Sequence, residues 1–194
     1  MEVWFPATPD RLARWAAAGL VEADERAVAV TAVLRRALGL VGRTGSDDAD
    51  EAAEEEAADA ALTQAARASV ELLAGERLDG LAPTPRRVVL VAEVPDAQVR
   101  PVDDDDAADG DDGLAVAPGE VRLSAPVARD AWLAVHADVD GTGDGLAVAD
   151  LVAAAVEGLA DDGVDPEEAL RRAEVVDEVE LGWHDVSEVD VLLA

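Results

Sequence analysis

The sequence predicts an α+β fold, with a mixed, largely antiparallel sheet and helices packed against it in a single domain spanning residues 1–194. Three observations predict it. A chain of 194 residues can bury one sizeable core and is short for two. Strand-like runs, led by Val88, Val89, Leu90 and Val91, are interspersed with stretches whose apolar residues recur at helical spacing. Strand-like segments also lie on either side of an acidic loop, which predicts an antiparallel pair.

Residues 2–7, EVWFPA, read as a short strand stopped by Pro6. A helix then begins with Thr8 as N-cap, Pro9 in the first helical position and Asp10 against the positive end of the dipole. Leu12, Trp15 and Ala16 share one face of it, and Gly19 is placed to end it. In RAVAVTAVL the β-branched Val28, Val30 and Val33 predict a strand over the first half, and VLRRAL a helical turn after it. GRTGSDD is a loop. From about Asp48 to Ala74, Ala-rich composition, acids crowded into the first turns and the spacing of Leu62, Ala66, Ser69/Val70 and Leu73 predict a long helix. Its acidic first half has hardly any large apolar residue. GERLDGLAPTP, with its Pro and Gly residues, is a connection.

RRVVLVAEV is the strongest strand, because four consecutive apolar residues suit a strand covered on both faces or central in its sheet; Pro95 ends it. EVRLSAPV resumes beyond the acidic loop as a strand antiparallel to its predecessor. AWLAVHAD places Trp132, Ala134, His136 and Asp138 on one side and Leu133, Val135 and Ala137 on the other. LAVADLVAAAVEGLA carries Val148, Leu151, Val152, Ala155, Val156 and Leu159 on one helical stripe, with Asp144 as its N-cap. DPEEALRRAEVV begins with Asp165 as N-cap and Pro166 behind it, and Glu168 closes a capping box. Strand character runs from Val179 to His184, with a short strand or turn of helix after it.

Composition narrows the function classes. Half of the chain is apolar, yet it has one Phe, one Met, four Trp and no Tyr, so Ala, Val and Leu must build the core through many close contacts. Lys, Asn, Ile, Tyr and Cys are absent, which points to a GC-rich genome before it points to selection. Without Cys there is no disulfide, thiolate nucleophile or cysteine metal site. The acidic N-terminus does not resemble a signal peptide, and no apolar run approaches membrane-spanning length, so a soluble, cytoplasmic protein is expected.

The formal net charge is -29. Polyanions are bound by clusters of Lys and Arg that release counterions, so neither nucleic acid nor an anionic membrane is expected as a partner. Much of the charge sits in two low-complexity stretches at about 46–59 and 102–119, the second disordered by composition. Asp47 to Asp59 carries eight acids and Asp103 to Asp112 seven. Setting those fifteen aside leaves 29 acids against 15 Arg, a body of formal charge -14, so the folded part is acidic too.

HADVDGTGDG, from His136 to Gly145, has three readings. As a calcium loop, Asp138, Asp140, Thr142 and Asp144 fall on the first four ligand positions with Gly143 at the turn, but Ala149 stands where a bidentate Glu must close the shell. As a phosphate-cradling turn, its three glycines lack the G-x-G-x-x-G spacing, and a diphosphate would meet three aspartates. As a bend between strand and helix, it needs glycines for positive φ and aspartates for the turn and the next N-cap, which accounts for every residue. The bend is the preferred reading. His136 and Asp138, two apart on a strand, are the minimum for a shared metal; with Asp140 and Asp144 they are the metal candidates, and a third protein ligand to that pair cannot be named. WHDVSE supplies His184, Asp185 and Ser187, the residue types of a nucleophilic triad at the wrong spacing. The Arg pairs of PRRVV, LRRAL and LRRAE are expected to neutralise the protein's own carboxylates.

ALTQAARASVELL and RRVVLVAEVPDAQVRP, set in the order that runs from VWFPAT to GWHDVSEVDVLL, resemble a family of uncharacterised actinobacterial proteins carried as a domain of unknown function. The acidic runs look like insertions relative to that family, and His184 stands where an aromatic is usual. The resemblance implies a single cytoplasmic domain and supplies no activity. The expected function is a non-catalytic binding or regulatory domain acting on a protein partner, without a cofactor. The alternative is a divalent-metal-dependent hydrolase using His136 and nearby carboxylates. The oligomeric state is left open.

Overall fold

The structure, a computed structural model, describes residues 1–41, 47–102, 117–139, 141–143, 146–161 and 163–193. In chain order its elements are β1 (Glu2–Ala7), α1 (Pro9–Ala18), β2 (Leu20–Val21), β3 (Ala27–Ala29), α2 (Ala32–Ala37), α3 (Asp47–Leu78), β4 (Val88–Glu93), β5 (Val99–Pro101), β6 (Glu120–Leu123) and β7 (Val127–Ala128). They continue with β8 (Trp132–Ala137), β9 (Thr142–Gly143), β10 (Leu146–Ala147), α4 (Val148–Ala160), α5 (Pro166–Asp177), β11 (Gly182–Asp185) and α6 (Val189–Leu192). Seven strands form one sheet in the order β11-β8-β4-β1-β3-β6-β5, every neighbouring pair antiparallel. The fold is α+β with helices on both faces of this sheet.

Alternation along the strands sorts the core into two layers. Val3, Phe5, Val88, Leu90, Val135 and Ala137 face α1, where Leu12 and Trp15 meet them; the rings of Phe5 and Trp15 lie edge to face at 6.3 Å. Trp4, Val28, Val89 and Val91 face α3. That helix meets the sheet with small side chains, Ala57, Ala61, Ala65 and Ala68, all buried, so its backbone can lie close to the strands. Farther along, Val70 and Leu73 of α3 pack on Val148, Val152 and Val156 of α4 and Val176 of α5. β4 lies between β1 and β8 and is buried along its length up to Glu93, as its uninterrupted apolar run predicts.

Local chemistry sets several helix ends. The Thr8 hydroxyl accepts from the Arg11 N–H, and Gly19 closes α1 at φ 72°, a backbone region that favours glycine. The Asp165 carboxylate accepts from the Glu167 and Glu168 N–H groups at the start of α5.

Five expectations are corrected. Pro6 does not stop β1, which runs on to Ala7. The Met1 carbonyl accepts from Val94 on the β4 side, so alternation turns the Pro6 nitrogen toward β3, whose pairing with β1 has ended at Trp4. No ladder bond is lost there. The strand after the acidic loop, β6, pairs with β5 and β3 instead of β4, because the chain turns at 96–98 and inserts β5 first. Trp132 does not share the face of His136. Val91 pairs with Ala134 but Ala92 with Trp132, so Leu133 is bulged out at 42% exposure and Trp132 turns into the α1-side core.

The helix after the glycine-rich stretch begins at Val148 with Ala147, not Asp144, at its N-cap, because β10 pairs with β9 up to Ala147. Glu168 turns forward to Arg172, Nε to Oε1 2.8 Å, and closes no capping box. The acidic residues 103–116, with most of the second low-complexity stretch, the loop residues 42–46, and Asp140 and Asp144 lie outside the described residues.

Candidate functional site

His136 on β8 stands directly opposite Trp183 on β11, and Val89 on β4 stands opposite His136 from the other side. Opposed residues share a face, so all three project toward α3. That helix lies over the middle of the sheet, whereas β11 is its edge. Between them is a cleft of about 370 Å³. Asp59, Leu62, Thr63 and Ala66 line it from α3, a spacing that keeps them on one helix face. Asp177, Glu180 and Leu181 line it from α5 and the segment that leads into β11.

Beneath the cleft lies a charge pair taken wholly out of water, Arg87 at 1% exposure and Asp138 at 5%. Arg87 Nη2 donates to Asp138 Oδ1 at 2.7 Å and Nε to the same oxygen at 3.1 Å, while the Arg87 backbone N–H donates to Oδ2 at 2.6 Å. Nη1 donates to the Val176 carbonyl at 2.7 Å and Nη2 to that of Val179 at 2.8 Å. The guanidinium thus closes the C-terminal end of α5 and ties the entry of β11 to β4 and β8. This is the neutralising role expected of the arginine pairs, with a partner 51 residues away.

Of the four metal candidates, Asp140 and Asp144 lie outside the described residues, and His136 and Asp138 are engaged separately. Both carboxylate oxygens of Asp138 are engaged by Arg87, and the ring of His136 lines the cleft. Among the described residues no three His, Cys, Asp or Glu side chains converge as a metal site. Burial, and secondarily the charge of His184, hold the His136 imidazole below its ordinary value of 6.5, so it is neutral at neutral pH. No described residue hydrogen bonds to the ring, which leaves it one acceptor and one donor for whatever enters the cleft.

His184, Asp185 and Ser187 do not form a relay. Asp185 Oδ1 accepts from the Ser187 hydroxyl at 2.6 Å and its N–H at 2.8 Å, and the Asp185 N–H donates to Glu188 at 2.9 Å. They cap the turn that begins at Val186. The Ser187 hydrogen bonds lower the pKa of Asp185. His184 stands opposite Val135, on the face away from the cleft, with Nδ1 4.0 Å from Glu188.

Sequence reasoning named His136 but passed over Trp183, Asp59, Thr63 and Glu180. The signals present were the spacing 59-62-63-66 on a predicted helix and the alternation that puts Trp183 on the face opposite His184; neither says that helix and strand meet. Comparison with curated proteins and with solved structures gave no match. One family model matches residues 1–193, so the chain belongs to the family of unknown function DUF6912.

Proposed function

We propose that the protein is a non-catalytic binding domain that takes a protein partner at the cleft between α3 and β11. The observation that carries this reading is Trp183, 61% exposed on an edge strand beside a pocket. Trp presents a rigid apolar plate with one polar N–H, and an indole left in water at the mouth of a cleft gains most from being covered by another protein. The remaining groups support binding over catalysis. His136 has no hydrogen-bonded carboxylate or hydroxyl among the described residues to act with it as an acid–base pair, and Asp138 serves Arg87. The net charge of -29 argues against nucleic acid, and the composition without Cys suits the cytoplasm. Among the described residues no helix is long and apolar enough to cross a membrane.

The test is affinity capture from a lysate of the source organism, with the wild type and Trp183→Ala run in parallel. The expected result is a partner retained by the wild type and lost by the variant. No partner above background, or the same set with both baits, overturns the reading.

A further inference from the structure

The charges within the cleft do not balance. Asp177 is paired with Arg67, and Arg87 is spent on Asp138. Asp59 and Glu180, which line the cleft from α3 and from the segment before β11, are exposed and have no ion-pair partner among the described residues. Two uncompensated carboxylates therefore line the cleft that the exposed indole also lines. Resting on the binding reading above, we infer that the cleft receives an arginine side chain from a basic segment of the partner, its guanidinium on the face of Trp183 and its N–H groups on Asp59 and Glu180.

Several groups of the cleft have a use for such a guest. A guanidinium is planar, stacks on an indole face, and offers a fork of donors that suits carboxylates. The molecule already uses this contact internally, where the Arg129 guanidinium lies 5.6 Å from the centre of the Trp132 ring. The neutral His136 adds a hydrogen-bond acceptor and no repelling charge. Leu62 and Leu181 offer apolar walls for the aliphatic stem. The surrounding negative field draws a basic segment in from a distance. An acidic or phosphorylated segment meets the opposite conditions at each of these points.

The probe is a capped hexa-arginine peptide, with the hexa-citrulline peptide as its neutral isostere, titrated against the full chain at physiological salt. Hexa-arginine is expected to bind and hexa-citrulline not to. Trp183→Ala and the double variant Asp59→Asn, Glu180→Gln are each expected to weaken binding on the order of tenfold. Removing two exposed carboxylates elsewhere, by Glu93→Gln and Asp130→Asn, is expected to change it less than twofold, or about 0.4 kcal/mol. Circular dichroism checks that each variant keeps its fold. Equal losses from the two double variants would show attraction to bulk charge alone and overturn the inference, as would undiminished binding by Trp183→Ala. If capture of a partner depends on Trp183 while hexa-arginine neither binds nor competes, the inference falls and the binding reading stands. If capture ignores Trp183, the binding reading itself falls.

Discussion

Arg87 is the residue on which the edge of the sheet depends. A guanidinium and a carboxylate withdrawn from water each carry a desolvation penalty of several kcal/mol, offset here by their mutual attraction and by donors matched to the Val176 and Val179 carbonyls. Removing one partner leaves the other charged and alone. Asp138→Ala is therefore expected to lower the unfolding free energy by about 3–5 kcal/mol in urea denaturation. Amide hydrogen exchange should quicken first at the C-terminal end of α5 and in β11, the segments that Arg87 holds; loss confined to β8 would contradict this role. His136 gives a pH signature of opposite kind to a paired histidine. Its folded-state pKa lies below 6.5, so its contribution is fully present above pH 6.5, where both states are neutral. As pH falls through 6.5 the unfolded chain takes up the proton first, and stability is lost until the folded-state pKa is reached. Burial of the ring, and secondarily His184 behind the strand, set how far that window extends. Replacing His136 with Gln should flatten the decline in thermal midpoint just below pH 6.5; an unchanged slope would assign it to other groups.

At the scale of elements, close approach substitutes for bulk. A Cβ added at Gly119, in the turn entering β6, would lie 2.7 Å from Gln64 Oε1 of α3, 2.8 Å from Val28 Cγ1 of β3 and 3.3 Å from the Ala29 carbonyl. The glutamine can swing aside, but the β3 backbone cannot without disturbing two ladders. Gly119→Ala is expected to cost about 1–3 kcal/mol in chemical denaturation, with a neutral effect showing that β3 has slack. Whether an element was legible in the sequence follows from how locally it is determined. Thr8, Pro9 and Gly19 bound α1 through contacts within a few residues, and the unbroken valines and leucine of β4 announce a strand buried on both faces, so both could be read directly. Strand order could not, since nothing within β6 says that β5 and β3 will flank it. One bulged residue, Leu133, turned Trp132 to the opposite face from that given by strict alternation. The cleft was the least legible feature, because it needs one face of α3 to meet an edge strand more than a hundred residues later in the chain. His136 could be singled out by its chemistry, while Trp183 gained its meaning only from being left uncovered.

At the scale of the molecule, two electrostatic effects oppose each other. Ion pairs such as Arg11–Glu25, Arg26–Glu71 and Arg35–Glu54 join α1, α2 and α3 to their surroundings. Each is partly exposed, and pairs of that kind contribute about 0.2–1 kcal/mol apiece. Against them stands the repulsion among 44 acids offset by only 15 arginines. Pairwise attraction acts over a few ångströms, whereas an excess of one sign is felt across the whole body and is the first to be screened. Raising the salt from about 0.01 M to 0.15 M shortens the screening length from about 30 Å to about 8 Å, less than the span of the sheet, so it removes mostly repulsion. The urea midpoint is therefore expected to rise with sodium chloride at a constant denaturant slope. Urea is the denaturant of choice because guanidinium would itself screen the charges and compete for the proposed cation site. If the midpoint falls with salt instead, the ion pairs outweigh the excess charge, and the acidic surface is held together by its few arginines to a greater degree than the formal charge of -29 suggests.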